Sequence, residues 1–331
     1  MATLGTAPDA LDATLDPEFA ALLARVQDEL GAPLDATLMA PADGRAWNAA
    51  IATRWNRDLP PLKRVVDIVV DGNPALGSAD TRVKVMIPPD PSSGAILYAH
   101  GGGWAFGSPE SHERIARVLA LSSGLPVLSV DYRLAPEDPF PAGLMDLIGV
   151  PDTIFQRTVS LGVRLGPLVL AGDSSGANLA LASLFHAWSR RQPLPVGAVF
   201  FYGVFDYNHG TPSHRSFREG PGLTTAKMER FWDWYLPERA ARWLPLASPM
   251  RADEAFFRDL PPLYLMAAGV DPLLSDTLGL HRRLEEIGRR DELRVVPGVT
   301  HGFLQFSAEY GPAEEELIRA GQAAARFAAI R

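Results

Sequence analysis

The chain contains no cysteine among its 331 residues. This absence excludes disulfide bonds, thiolate metal sites and a cysteine nucleophile. Its longest apolar runs, 196–205 and 263–270, are too short to cross a bilayer, which takes about 20 residues. Basic residues number 31 against 39 acidic ones, so the chain offers no basic stripe that would bind nucleic acid. The first nine residues lack the basic and apolar regions of a secretory signal, and we expect a cytoplasmic protein.

The apolar segments that are present predict the fold class. A chain of this length is expected to form one large α/β core with a smaller appendage. Most of the apolar runs lack regular polar alternation, which is typical of strands that are buried on both faces of a parallel sheet covered by helices. We predict about eight strands, the first two antiparallel, within 65–70, 83–87, 95–99, 127–130, 168–171, 198–202, 263–268 and 293–296. Helices are predicted at 110–122, 142–161, 177–190, 275–287 and 313–329.

Two parts of the chain fall outside this alternation and predict a discontinuous helical cap. The first carries an amphipathic helix over 16–30 and a second helix over 43–57, with Asp43 as its N-cap. The second part is an insertion between two predicted strands, far longer than an ordinary connection. Its aromatic residues are explained either by a helix face packed on the core or by a lid over a cleft. We predict cap segments at 1–58 and 206–258, and a catalytic domain at 59–205 and 259–331; the aromatics are Phe231, Trp232 and Trp234.

The string Gly172-Asp173-Ser174-Ser175-Gly176 follows a predicted strand and precedes a helix of small residues. A strand-to-helix turn this tight needs glycine on both sides, because side chains there would clash with the neighbouring strand and helix. The turn exposes the Ser174 hydroxyl at a helix N-terminus, which favours developing negative charge. We therefore predict Ser174 as a nucleophile rather than an incidental serine in a glycine-rich turn. Ser175 lacks the symmetric glycines, and its backbone N–H is better placed to bind an oxyanion.

Three consecutive glycines, Gly101 to Gly103, follow His100 at the end of another predicted strand. Such a run costs conformational entropy, so a close approach of its N–H groups to a substrate oxygen explains it better than chance. A phosphate-binding loop is the competing interpretation. It is disfavoured because no Lys-Ser/Thr pair follows and no dinucleotide-binding spacing is present. We expect His100 to support this loop by hydrogen bonds rather than to act as a base.

The base and its orienting acid are predicted from positions at strand ends. His301 follows the last strand, at the carboxyl edge where open α/β sheets bind ligands, and we predict it as the general base. Asp271 ends the preceding strand and is predicted to orient His301. Asp276 competes for that role, but it lies in the first turn of a helix, where an acidic residue has a structural reason to occur. The other histidines are predicted to be structural (His186, His281) or solvated (His112, His209, His214).

Taken together, these motifs resemble the hormone-sensitive-lipase group of α/β-hydrolases, the bacterial family IV carboxylesterases. The resemblance extends over about 64–331 and includes His100–Trp104, 131–137, Gly172–Gly176, 271–273 and 301–303. It implies a triad of Ser174, Asp271 and His301 on an α/β-hydrolase fold. It also implies an oxyanion hole formed by the N–H groups of Gly102, Gly103 and Ser175, and no cofactor.

Two departures from the family pattern lie outside these groups. Asp138 stands where a histidine is common, and 202–205 replaces a more usual Ser-Pro sequence. We expect the second departure to border the substrate pocket.

The favoured function is hydrolysis of short- to medium-chain carboxylic esters through an acyl-enzyme on Ser174. An amide or thioester hydrolase with the same triad stays open. A small-molecule receptor on this fold is a third reading, disfavoured because receptors of this kind lose the triad histidine and His301 is present. The histidines and acidic residues show no metal-binding spacing, and we expect no metal. The expected partner is a small ester, and a homodimer is the candidate assembly.

Overall fold

The computed structural model describes residues 11–31 and 34–330, and its centre is an eight-stranded sheet with the order β1-β2-β4-β3-β5-β6-β7-β8. β2 pairs antiparallel with β1 and with β4, and the other neighbouring strands are parallel. The prediction of eight strands in a mostly parallel sheet, with the first pair antiparallel, is confirmed. The strands are β1 (Arg64–Val70), β2 (Thr81–Ile87), β3 (Ala95–Ala99), β4 (Val127–Asp131), β5 (Leu168–Asp173), β6 (Gly197–Phe201), β7 (Leu263–Val270) and β8 (Glu292–Thr300).

The strand order places the two glycine-rich motifs side by side. The chain runs from β3 to β4 on one side, and β5 then joins β3 on its other side. A crevice forms at the carboxyl ends of parallel strands where the order reverses in this way. Ala99, the last residue of β3, pairs with Gly172 of β5. The loop after β3 therefore lies beside the turn after β5.

Helices cover both faces of the sheet, as the unbroken apolar strands predicted. Successive side chains of a strand point to opposite faces. Leu97 and Leu170 belong to one buried cluster, whereas Ile96 and Val169 belong to the other. Both faces of the central strands are therefore excluded from water. The helices are α1 (Pro17–Leu30), α2 (Pro41–Trp55), α3 (Glu113–Ser123), α4 (Ala142–Ile154), α5 (Thr158–Leu161), α6 (Ser175–Ser189), α7 (Pro212–Ser216), α8 (Thr225–Tyr235), α9 (Glu254–Asp259), α10 (Leu274–Glu286) and α11 (Gly311–Ala328).

Most predicted helix ends differ from the observed ones by one to three residues, and two differences are informative. α2 begins at Pro41 with Ala40 as its N-cap, so Asp43 lies in the first turn and is not the cap. Proline is favoured at the first helical position because its fixed φ suits the helix and its missing N–H is not needed there. The helix predicted over 142–161 is interrupted after Ile154 by a 3₁₀ turn. The prediction treated these residues as one continuous helix.

The insertion after β6 contains α7, α8, two 3₁₀ turns and α9. α8 contacts the segment that joins α1 to α2. The Arg230 side chain donates from Nε to Thr37 Oγ1 over 2.6 Å and forms an ion pair with Asp35. The two segments predicted to form the cap thus touch each other. No helix in the described ranges is both long enough and apolar enough to span a membrane.

Candidate active site

Ser174 lies in the turn between β5 and α6 with a φ of +54°, a left-handed value that non-glycine residues rarely adopt. The two flanking glycines leave room for this turn. A Cβ on Gly176 would lie 2.0 Å from the carbonyl oxygen of Ala99, and one on Gly172 would lie 2.5 Å from the carbonyl carbon of Gly176. Larger residues would push β5, α6 and β3 apart. The strain and the two glycines hold the Ser174 hydroxyl at the carboxyl edge of the sheet.

A chain of hydrogen bonds joins Ser174, His301 and Asp271. Ser174 Oγ lies 2.8 Å from His301 Nε2, and His301 Nδ1 lies 2.7 Å from Asp271 Oδ2. Asp271 is fully buried, and its second oxygen accepts a hydrogen bond of 2.8 Å from the backbone N–H of Leu273. The carboxylate can therefore fix the imidazole with its proton on Nδ1, leaving Nε2 free to accept the serine proton.

Asp276, the competitor of Asp271, takes a different place. Its Oδ1 accepts hydrogen bonds from the backbone N–H groups of Phe205 and Asp206, at 2.9 and 3.2 Å. Burial raises the pKa of the Asp276 carboxyl to about 8, against the two backbone hydrogen bonds, which lower it. Asp276 thus fixes the chain where it leaves β6 for the insertion.

The glycine loop after β3 lies against the same cleft, and its conformation requires glycine. Gly102 and Gly103 have φ values of +119° and +62°. A Cβ on Gly102 would lie 2.3 Å from the carbonyl oxygen of Phe106, and one on Gly103 would lie 2.3 Å from the ring of Phe231. Gly102, Gly103 and Ser175, the residues predicted to supply oxyanion N–H groups, all line the cleft that contains Ser174.

His100 is fully buried, and its ring stacks on Tyr132 with 4.3 Å between centroids. Its Nδ1 donates to the carbonyl oxygen of Gly101 over 2.8 Å. Burial, together with the nearby His112, lowers the pKa of His100 to about 3, so the ring is neutral near pH 7. These contacts favour a supporting role in the loop over the role of a base.

Asp173, which sequence reasoning did not single out, connects the serine turn to the glycine loop. Its Oδ1 accepts hydrogen bonds from Tyr98 Oη at 2.6 Å and from the Gly101 N–H at 2.8 Å, while His112 Nε2 lies 3.4 Å from Oδ2. Burial raises the pKa of the Asp173 carboxyl, but His112 and the donated hydrogen bonds outweigh burial and hold the pKa below its usual value. The signal in the sequence was an acidic residue directly before Ser174 at the end of an apolar strand; the pairing of β5 with β3, which brings it to Gly101, is seen in the structure.

The prediction that three histidines are solvated was wrong. His112 and His214 are 6% and 3% exposed, and the side chain of His209 is 14% exposed. Polar neighbours in the sequence suggested loops in water, but these loops fold back onto the core. His112 lines the cleft next to Asp173, and His214 Nδ1 lies 3.2 Å from Thr225 Oγ1 at the start of α8.

The cleft above Ser174 has a volume of about 190 Å³ and is lined by both predicted cap segments. Of the three aromatics singled out in the insertion, Phe231 lines it. Trp232 is fully buried beside Trp104, with 4.8 Å between ring centroids, and Trp234 packs against Phe106. α8 therefore combines the two interpretations, since it packs on the core and also faces the cleft. Other cap residues in the lining are Asn48, Ala52, Trp55, Leu223 and Met228.

The family departure at 202–205 borders this cleft through Val204, as the sequence predicted. Tyr202 lies beside the histidine of the site, with 4.9 Å between its ring centroid and that of His301. Tyr202 has a φ of +38°, and its backbone N–H donates to the carbonyl oxygen of Met266. This segment thus shapes the wall next to His301.

Comparison with known proteins places the chain among esterases. Residues 96–305 match a family described as having the alpha/beta hydrolase fold. The chain is 32% identical over 278 residues to esterase LipI of Mycobacterium tuberculosis, covering 82% of this chain and 85% of that protein. It is 30% identical over 297 residues to an acetyl esterase of Salmonella schwarzengrund, covering 87% and 88%.

Solved structures agree with these relatives. An ester hydrolase from the metagenome of Lake Arreo superposes with a TM-score of 0.85 at 28% identity, over 94% of this chain and 98% of that one. The esterase of Pyrobaculum calidifontis gives a TM-score of 0.83 at 29% identity, over 95% and 99%. The chain therefore belongs to the hormone-sensitive-lipase-like family of carboxylesterases, serine ester hydrolases with the α/β-hydrolase fold.

Proposed function

We propose that the chain hydrolyses short- to medium-chain carboxylic esters, with Ser174 as nucleophile, His301 as general base and Asp271 as the group that orients it. The observation that carries this assignment is the hydrogen-bonded chain from Asp271 through His301 to Ser174, with links of 2.7 and 2.8 Å. Attack forms a bond between Ser174 Oγ and the ester carbonyl carbon, while Nε2 of His301 takes the hydroxyl proton. The carbonyl oxygen gains the electron pair and becomes an oxyanion.

Stabilisation of this oxyanion, loss of the alcohol and hydrolysis of the acyl-enzyme complete the reaction. The oxyanion is stabilised by the backbone N–H groups of Gly102, Gly103 and Ser175, where one such donor contributes about 3–4 kcal/mol to an acyl-transfer barrier. The tetrahedral species collapses and expels the alcohol, which takes the proton from His301. Water then attacks the acyl carbon and gives a proton to His301. The acyl–Oγ bond breaks, Ser174 Oγ takes that proton back from His301, and the acid is released from the regenerated enzyme. Every step uses groups of this chain, and no cofactor is required.

The size and lining of the cleft support a small apolar acyl group. About 190 Å³ is below the usual range of drug-sized ligand pockets, and the walls include Val204, Leu223, Met228 and Phe231. A relative named acetyl esterase also fits a short acyl chain. An apolar wall disfavours a charged acyl group because the charge would lose its water without gaining a partner.

We propose the domain division on the same basis, with cap segments 1–58 and 206–258 on a catalytic domain of 59–205 and 259–331. Residues of both segments line the cleft, and the Arg230 contacts with Thr37 and Asp35 join them. Deleting the first segment should expose apolar surface and lower activity without unfolding the sheet. A loss of the sheet's circular dichroism signal in that variant would contradict the division.

The cytoplasmic location and the homodimer are expectations from the sequence, which cell fractionation and light scattering would test. Amide and thioester hydrolysis use the same groups as ester hydrolysis. A nitrophenyl ester, a thioester and an anilide with one common acyl group would rank the three activities on the same enzyme. Measurable turnover of any of them would exclude the receptor reading.

The assignment is tested by Ser174→Ala with Ser175→Ala as the matched comparison. Removing the Ser174 hydroxyl should lower kcat by several orders of magnitude, because it removes the atom that carries the acyl group. Ser175→Ala keeps its N–H and should be far milder. Mass spectrometry of the wild type, quenched during turnover of an aryl ester, should find the acyl group on the peptide that contains Ser174. Residual Ser174→Ala activity above about a tenth of wild type would refute the assignment.

A further inference from the structure

A second cavity, of about 740 Å³, lies between the sheet and the helices α4 and α6. Its inner wall includes Leu97 of β3 and Leu170 of β5, which are 2% and 3% exposed, and Met145 and Ile148 of α4. The volume is within the usual range of small-molecule sites, about 300–1,000 Å³. The cavity is therefore large enough for a ligand and is mostly apolar on its inner side.

This cavity is distinct from the cleft above Ser174. It reaches Pro167 and Leu168, where β5 begins, whereas Ser174 follows the end of β5. At about 3.3 Å per strand residue, Ser174 lies about 20 Å from Leu168 and about 13 Å from Leu170, the β5 lining residue nearest to it. Among the described residues, none lines both of them. A ligand in the second cavity would not touch the residues proposed to be catalytic.

Apart from Asn73, on the loop between β1 and β2, the polar side chains that line this cavity lie on α6 and just after it. His186 and Arg190 are four residues apart, so they share one side of the helix end. Arg190 is exposed and, among the described lining residues, is the one with a charged side chain; it has no side-chain hydrogen bond or ion pair with another described residue. The cavity thus has an apolar interior and a mouth with a single positive charge.

His186 is a buried polar group without a partner at the same end. It is 5% exposed, and neither ring nitrogen has a hydrogen-bond partner among the described residues. A buried N–H that has lost water without gaining an acceptor is costly, and most buried polar groups in folded proteins are paired. An acceptor that enters the cavity beside Arg190 would supply the missing partner after a small rotation of the ring.

We propose that this cavity binds a medium-chain monocarboxylate, with its carboxylate between Arg190 and His186 and its alkyl chain against Leu97, Leu170 and Met145. Guanidinium and carboxylate are matched in charge and geometry, and an imidazole N–H can donate to the same carboxylate. Each methylene that enters the apolar interior leaves water, so affinity rises with chain length. The proposal is independent of the proposed function, because it requires no chemistry at Ser174.

Calorimetric titration with decanoate tests the proposal on the full chain. Wild type should bind decanoate saturably and bind acetate far more weakly. Arg190→Gln should weaken decanoate binding about five- to tenfold, a moderate loss because the guanidinium is partly in water. The matched control is Arg191→Gln, since Arg191 is also exposed but does not line the cavity, and its affinity should equal that of wild type. Decanol, which has no charge, should bind wild type and Arg190→Gln alike.

His186→Leu gives an independent readout. Replacing an unpaired imidazole with an apolar side chain should raise the melting temperature of the free protein while weakening decanoate binding. A lower melting temperature, or decanoate binding equal to that of wild type, would overturn the placement of the carboxylate on His186.

Two further results would overturn the proposal as a whole. The first is a wild type that shows no saturable decanoate binding. The second is equal decanoate affinity in Arg190→Gln and Arg191→Gln, which would place any bound decanoate elsewhere, such as in the Ser174 cleft. Neither result bears on the esterase assignment, which depends on the Ser174→Ala experiment.

Discussion

Replacing Asp271 with asparagine should nearly abolish turnover while leaving the fold intact. The reason lies in two donors that face the two carboxylate oxygens. Leu273 N–H donates to Oδ1 at 2.8 Å, and this donor is fixed in the backbone. In the Asp271→Asn variant the amide oxygen would therefore face Leu273, and the NH₂ group would face His301 Nδ1. Nδ1 must then accept a hydrogen bond, the imidazole proton moves to Nε2, and Nε2 can no longer accept the proton of Ser174.

The opposite amide orientation does not restore activity. It would place the NH₂ group against the N–H of Leu273, leaving two buried donors facing each other, at a cost of about 1–3 kcal/mol. A triad whose imidazole is held in the wrong tautomer typically loses about 10⁴-fold in kcat. That factor corresponds to about 5.5 kcal/mol of barrier. We expect a loss of this size in Asp271→Asn with KM little changed.

Asp276→Asn is the matched control, since it makes the same change in a second buried carboxyl group near the site. With a pKa raised to about 8 by burial, Asp276 is largely protonated at pH 7, and an amide oxygen can still accept from Phe205 and Asp206. Its steady-state kinetics on an aryl ester should stay close to wild type. If Asp271→Asn kept more than about a tenth of wild-type kcat, or if the two variants lost activity equally, the reasoning from tautomers would be refuted.

Three further predictions concern His214 and Phe231 in the cap segment 206–258 and Asp173, the residue before Ser174. Burial lowers the pKa of His214 to about 3, so the unfolded chain takes up a proton there first and stability is lost as pH falls from about 6.5 towards 3. Between pH 7.5 and 5, the free energy of unfolding should therefore fall by about 2 kcal/mol less in His214→Asn than in wild type, as measured by urea denaturation. An equal fall in wild type and in the variant would contradict this prediction. Asp173→Asn keeps an acceptor for the Gly101 N–H but loses its charge, so kcat should fall about tenfold at an unchanged KM; an unchanged kcat would show that the charge does not matter. Phe231→Ala should shift ester preference towards longer acyl chains, whereas Trp234→Ala, outside the cleft lining, should not; the same profile in both variants would count against Phe231 as a wall of the acyl pocket.

Local strings in the sequence were sufficient to predict the fold and most of the candidate site. Gly172 and Gly176 flank a serine because the turn leaves no space for a Cβ, and this requirement is visible without any distant residue. The ends of the strands could be predicted because each apolar run stops near the point where the chain leaves the sheet. Asp271 and His301 come shortly after the last two such runs, so both were expected at the carboxyl edge of the sheet. In the structure they directly follow β7 and β8.

Only the tertiary structure decided what depends on neighbours that are distant in sequence. Asp173 holds Gly101 because β3 and β5 pair, although the two residues are 72 positions apart. His112 and His214 are buried because their loops fold back onto the core. The aromatics of α8 have different roles because of how the helix lies on the core: Phe231 lines the cleft, Trp232 is buried against Trp104, and Trp234 packs on Phe106. A sequence records which contacts a side chain can make, but burial and partners are fixed only when distant segments meet.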